Sequence, residues 1–147
     1  MIPPFLDSGY LPPGIHECTI EEFESRFVFG IKRIEIFKGL KRLFEDLKKI
    51  GCNTVYIDGS YVTTKSRPGD ADVCWDMVDD PDILRFAKVN SPILFMTKYP
   101  RMEQKTRYES DVFPANILEN SSGLMFLKYF QCVKHSNEKK GIIKIDL

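Results

Sequence analysis

The segment Val55-Tyr56-Ile57-Asp58-Gly59-Ser60 is followed, after a nine-residue spacer, by Asp70-Ala71-Asp72-Val73-Cys74-Trp75. The first part reads as a short buried strand over residues 53–58, closed by a Gly-Ser turn. The second part reads as another strand over residues 71–77. Strand side chains repeat every two residues, so Asp70 and Asp72 are expected to project from one face. Two carboxylates side by side repel and are costly to hold unless a cation neutralises them. Gly59 has no Cβ and lets the backbone approach an anion closely, while Ser60 and the amides after it supply donors. The stretch therefore predicts a cation site facing a phosphate site.

Outward from this segment, Ile31, Ile34, Phe37, Leu40, Leu43, Leu47 and Ile50 recur every three or four positions. That spacing predicts an amphipathic helix over residues 31–50. Its basic side chains, Lys32, Arg33, Lys38, Lys41, Arg42, Lys48 and Lys49, read as a solvated face. Thr19-Ile20-Glu21-Glu22 fits a capping box and opens an earlier helix that ends within residues 27–30. Residues 1–17 carry Pro3, Pro4, Pro12 and Pro13 and predict an extended arm, whose Phe5, Tyr10 and Leu11 dock on the domain or on another subunit. Downstream, Asp80 and Pro81 open a helix over residues 81–88. Residues 93–96 read as a short strand and 110–113 as a strand ended by Pro114. Residues 124–133 are helix or strand, with spacing that favours helix. A polar loop, 134–140, leads to a terminal strand over 141–147. This order predicts a single α/β (α+β) domain spanning residues 1–147, with a small mixed sheet flanked by helices.

Composition narrows the class. A chain of 147 residues is long enough for one real core. Its 43% hydrophobic and 29% charged residues are those of a globular protein. The 21 basic and 21 acidic residues cancel, so net charge argues neither for nor against nucleic acid. Cys18, Cys52, Cys74 and Cys132 form no C-x-x-C pair, which speaks against zinc. The opening Met1-Ile2-Pro3-Pro4 lacks the charged and apolar regions of a secretion signal. No apolar run approaches the roughly 20 residues of a membrane span. A cytoplasmic protein with reduced thiols is expected.

The cation and phosphate features together match the needs of nucleotide transfer from a nucleoside triphosphate. That chemistry uses two magnesium ions about 3.5–4 Å apart, held by hard carboxylate oxygens. Asp70 and Asp72 supply two carboxylates. Asp111, a charge inside the strand Ser110-Asp111-Val112-Phe113, is the candidate third, ahead of Glu109. Asp76 shares the face of Asp70 and Asp72 but lies further along. Lys65 and Arg67, in the spacer, are candidates for neutralising triphosphate charge; the same positions also suit exposed loop charges. His16 and His135 fall in predicted loops and read as surface residues. Trp75 reads as core, and Tyr61 either packs inside or faces the nucleotide.

Gly59-Ser60 and Asp70-Ala71-Asp72-Val73 resemble, position by position, the signature of the nucleotidyltransferase superfamily, which includes polymerase-beta-like enzymes. The likeness covers residues 55–75, with residues 110–113 similar to that family's third-carboxylate strand. The chain also resembles the minimal nucleotidyltransferases of prokaryotic toxin–antitoxin systems. The resemblance implies a magnesium-dependent enzyme in which Asp70, Asp72 and Asp111 are catalytic and metal-binding. Gly59, Ser60, Lys65 and Arg67 would then bind a nucleoside triphosphate, with ATP favoured. The implied acceptor is a hydroxyl of a protein or a tRNA. No long helical domain follows the core, which implies that a partner toxin or antitoxin, or a homodimer mate, completes the acceptor site. Two positions depart from the family pattern. Asp58 stands where an apolar residue is usual, and Tyr61-Val62-Thr63-Thr64-Lys65 replaces the usual sequence after Gly-Ser. Two other readings are open: an antitoxin or binding module with the same fold and little catalysis, and an ordinary turn in which Asp70 and Asp72 merely follow Pro68-Gly69.

Overall fold

The structure is a computed structural model that describes residues 1–98 and 101–147. Its strands are β1 (Gly14–Glu17), β2 (Thr54–Asp58), β3 (Ala71–Trp75), β4 (Ser110–Pro114) and β5 (Gly141–Asp146). They form one mixed sheet in the order β1-β5-β2-β3-β4. The central β5-β2-β3 ladder is antiparallel, and the outer pairs β1–β5 and β3–β4 are parallel. The helices are α1 (Ile20–Phe27), α2 (Gly30–Lys49), α3 (Pro81–Asn90), α4 (Met102–Tyr108) and α5 (Phe126–Tyr129). The α+β class read from the sequence is the class of the fold.

Alternation along the strands divides the core in two. Val55, Ile57, Val73, Trp75, Val112, Ile143 and Ile145 point to one face and pack with Phe23, Phe27, Ile36, Leu40 and Leu43 of α1 and α2. Tyr56, Cys74, Phe113 and Ile142 point to the other, under Phe126 and Phe130. The second face has fewer apolar side chains, and its polar end carries the carboxylates.

Several local expectations hold. Thr19 Oγ1 accepts from the Glu22 amide at 3.1 Å, and the Glu22 carboxylate accepts from the Thr19 amide at 2.9 Å, closing the capping box of α1. Asp80 caps α3 through the amides of Asp82 and Ile83. The arm docks on its own chain: Leu11 is buried, and the Phe5 ring meets Phe27 edge-on at 6.2 Å. Trp75 is core.

Other expectations are corrected. Residues 93–96 are not a strand; Pro92–Phe95 form a 3-10 turn, with Pro92 pre-set for a helical start. The end of the arm is not loop but strand β1, so His16 lies in the sheet, with Nε2 2.6 Å from the Pro12 carbonyl oxygen. Residues 124–133 hold the one-turn helix α5, flanked by isolated bridges from Met125 to Leu118 and from Cys132 to Lys139, and not a longer element. The first half of α2 is rotated from its apolar spacing: Ile31 is 80% exposed and Ile34 43%, while Arg33 is buried. The buried stripe runs Arg33, Ile36, Phe37, Leu40, Leu43, Phe44 and Leu47.

Helix α4, which carries no clear apolar period in the sequence, is clamped from three sides. The Gln104 amide donates to the carbonyls of Ile93 and Val112 at 2.7 and 3.1 Å, and its oxygen accepts from the Val112 amide at 3.0 Å. Arg107 and Tyr108 both donate to Asp46 of α2, at 2.7 Å each. At Gly39 the two helices approach so closely that a Cβ would overlap the Tyr108 carbonyl. Gly39→Ala is expected to cost about 3 kcal/mol, the upper end of overpacking costs, because backbone on both sides must yield. Urea melts of the two proteins check this; a loss below about 0.5 kcal/mol would mean that the helices slide apart freely.

Candidate functional site

The ladder register lines up three carboxylates. Asp58 pairs across β2–β3 with Asp72, and Asp72 pairs across β3–β4 with Asp111. Residues directly opposite share a face, so all three project on the side of Tyr56, Cys74 and Phe113. Asp70 immediately precedes β3, two residues before Asp72 on the same side. Four carboxylates thus meet at one end of the sheet.

Among the described residues, three cations answer them. Lys140 Nζ lies 3.1 Å from Asp58 Oδ1, in a pair that is nearly sealed from water. Lys105 Nζ lies 2.9 Å from Asp70 Oδ2 and 3.3 Å from Asp111 Oδ2. Arg101 Nη2 lies 3.5 Å from Asp111 Oδ1, with its guanidinium over the Phe113 ring at 3.9 Å. Among the described residues, the Asp72 carboxylate makes no hydrogen bond or ion pair of its own. Burial raises the Asp72 pKa to about 7, with further pushes from Asp58, Asp70 and Asp111 and partial relief from Lys140. Burial also raises Asp58, to about 6, against the opposing pull of Lys140.

These shifts fix a sign. In the unfolded chain Asp72 ionises near 3.9, and in the folded chain near 7. Between those values the folded state keeps a proton that the unfolded state has lost, so stability falls as pH rises. Asp72→Asn removes this contribution. Without divalent cation, its melting temperature is expected to exceed that of the native chain at about pH 8 and to match it at about pH 4. A difference that does not change with pH, followed by calorimetry, would contradict the assignment.

The Gly-Ser turn abuts the same carboxylate. Gly59 sits at φ +82°, and a Cβ there would lie 2.6 Å from Asp72 Oδ2, so only glycine fits between turn and carboxylate. After it, Ser60–Val62 form a single 3-10 turn. The following loop is held from beneath by Arg33. Its guanidinium donates to the carbonyls of Tyr61, Thr63 and Lys65 at 2.7, 3.0 and 2.6 Å, and to Phe27 at 3.1 Å. The Tyr61 hydroxyl returns a bond to the Arg33 carbonyl at 2.8 Å, which places Tyr61 in the core and not toward a ligand. The arm touches this loop too, through the Thr64 amide and the Gly9 carbonyl at 3.1 Å.

Two cavities flank Asp72. One, of ≈ 550 Å³, is lined by Gly59, Ser60, Thr64, Lys65, Lys140 and Tyr10. The other, of ≈ 630 Å³, is lined by Asp70, Asp111, Arg101, Phe113, Tyr129 and His135. Asp72 and Lys134 border both.

The sequence-derived candidates therefore divide. Asp70, Asp72 and Asp111 come together, and Gly59, Ser60 and Lys65 line the cavity on the far side of Asp72. Arg67 is exposed and lines neither cavity. Glu109 is the left-handed C-cap of α4, and Asp76 accepts from the Tyr56 hydroxyl at 3.1 Å, away from both cavities. Arg33, Arg101, Lys105 and Lys140 were missed as site residues. Only Arg33 carried a local signal: it stands three, four and seven positions before Ile36, Phe37 and Leu40, on the buried stripe.

The donor set is all hard carboxylate oxygen, the kind magnesium prefers, and Asp72 lacks a cation of its own. On that chemistry the residues fit a divalent cation. Among the described residues no three such side chains already converge as a metal-holding group, and Lys105 bridges Asp70 and Asp111.

Fold and site define a mixed-sheet α+β protein with a clustered carboxylate centre beside a glycine turn. The chain belongs to the family described as "Family of unknown function (DUF6932)", whose profile matches residues 3–146. No curated protein and no solved structure matches it. Among the described residues, no helix is long and apolar enough to cross a membrane.

Proposed function

We propose that this chain is a nucleotidyltransferase that moves a nucleotide from a nucleoside triphosphate to a hydroxyl of a protein or tRNA acceptor. The observation that carries it is the row Asp58-Asp72-Asp111 across three adjacent strands, with Gly59 pressed against Asp72. Gly59 and Ser60 hold the terminal phosphates, and Lys65 and Lys140 offset their charge along the same cavity. Asp70, Asp72 and Asp111 would hold magnesium, two ions in the fullest form of the reading. Bound there, magnesium would neutralise the triphosphate and polarise the attacking hydroxyl. The acceptor oxygen forms a bond to the α-phosphorus, the bond to the β-phosphate oxygen breaks, and pyrophosphate leaves. Asp111 takes the hydroxyl proton. ATP is the favoured donor, in a cytoplasmic setting with reduced thiols. A partner of a toxin–antitoxin pair, or a homodimer mate, completes the acceptor site.

A second reading has a specific observation behind it. Lys105 and Arg101 already neutralise Asp70 and Asp111, as suits an antitoxin or binding module that keeps the fold without the chemistry. Incubation with each labelled triphosphate, magnesium and cell extract separates the two. Label transfer that Asp70→Ala/Asp72→Ala abolishes supports the enzyme. No transfer, together with partner capture equal in the native and double-variant chains, supports the binding module.

A further inference from the structure

Lys105 occupies the place where two carboxylates need a cation. Its ammonium bridges Asp70 and Asp111 at 2.9 and 3.3 Å. This is not a surface lysine that happens to fall nearby. The Gln104 clamp, the Arg107–Asp46 pair and the close approach at Gly39 hold α4 in place and set the lysine over the site. Arg101, one helical turn earlier, is buried and stacked on Phe113, so it cannot leave without opening the core. Lys105 is different. Its side chain is 46% exposed, and a flexible four-carbon stem can swing the head into water while the helix stays still.

We propose that Lys105 is a resident cation that holds Asp70 and Asp111 together in the free protein and competes directly with a divalent cation for them. The inference rests on the reading that Asp70, Asp72 and Asp111 take such a cation. The physical reason is charge. Without a cation the two carboxylates repel. With the ammonium between them, an arriving divalent ion meets a like charge and must displace it from at least one oxygen. Lys105 thereby makes the site dependent on cation concentration: closed by the lysine when the metal is scarce, open when it is abundant.

The test is Mn²⁺ binding, followed by the loss of the free-ion electron paramagnetic resonance signal, with no reaction involved. Lys105→Met removes the competing charge, and its affinity for Mn²⁺ is expected to rise about tenfold, the effect of removing one like charge within a few ångström. Lys105→Arg keeps the charge and should stay near the native value. Melting curves confirm that each variant is folded, and Lys105→Met is expected to melt lower than the native chain without Mn²⁺ and to recover when it is added. Native and Lys105→Met chains binding Mn²⁺ equally, or the variant more weakly, would overturn the competition while leaving the carboxylate cation site in place. Binding by neither chain at millimolar Mn²⁺ would overturn the competition and the cation site together.

Discussion

Arg33→Met is expected to destabilise the protein by about 4 kcal/mol, among the largest effects of any single substitution in the chain. The side chain is fully buried at the start of α2 and gives hydrogen bonds to four backbone carbonyls. Three of those carbonyls belong to the loop after Gly59-Ser60. A methionine of similar length fills the space but donates nothing, and each buried carbonyl left unpaired costs about 1–3 kcal/mol. Some of these carbonyls regain water as the loop loosens, so the costs do not simply add. The second consequence is local. With its floor gone, the loop carrying Thr63, Thr64 and Lys65 loses its fixed relation to the Gly-Ser turn, and on the proposed function triphosphate affinity should fall with stability. Urea melts and nucleotide titrations at a temperature where the variant is folded check both. A folded variant with native stability would mean that the guanidinium is replaceable by water.

On the proposed function, Asp72→Asn is expected to reduce nucleotide transfer at least a hundredfold while leaving the fold intact. Among the described residues, Asp72 is the one carboxylate that borders both cavities, and it stands between Asp58 and Asp111 in the ladder. Asparagine has nearly the same shape, so the Gly59 contact survives. What is lost is negative charge at the centre of the row. The same substitution relieves repulsion among the carboxylates, so the variant should be more stable than the native chain near neutral pH while it is inactive. Greater stability with lost activity is the signature of a group kept for chemistry and not for folding. A variant that is both less stable and still active would assign Asp72 to structure.

The central motif was legible because it is local. A Gly-Ser turn after an apolar strand, and two acidic residues at strand spacing, depend on neighbours in sequence and on side-chain alternation. The strand carrying Asp111 was legible for the same reason. The cations were not. Lys105 reaches Asp70 across 35 positions and Lys140 reaches Asp58 across 82, and no periodicity encodes such contacts. Asp58 could be seen as out of place but not explained, since its role depends on the register that sets it opposite Asp72. Strand β1 was hidden because its partner β5 lies at the other end of the chain. Arg33 was not legible because charge outweighs position in a sequence: the apolar spacing points to Ile31 and Ile34 as the buried face of α2, while tertiary packing turns a carbonyl-binding guanidinium inward. The reading of residues 93–96 as a strand failed where Pro92 opened a 3-10 turn.

A crystal structure of the native chain with magnesium and a non-hydrolysable ATP analogue bears most directly on the proposed centre. The expected result is a triphosphate against Gly59 and Ser60. Cation density should lie about 2.1 Å from oxygens of Asp70, Asp72 and Asp111, with Lys105 withdrawn from between them. Asp70 and Asp111 still bridged by Lys105, with neither cation nor triphosphate in the adjoining cavity at saturating concentrations, would contradict it.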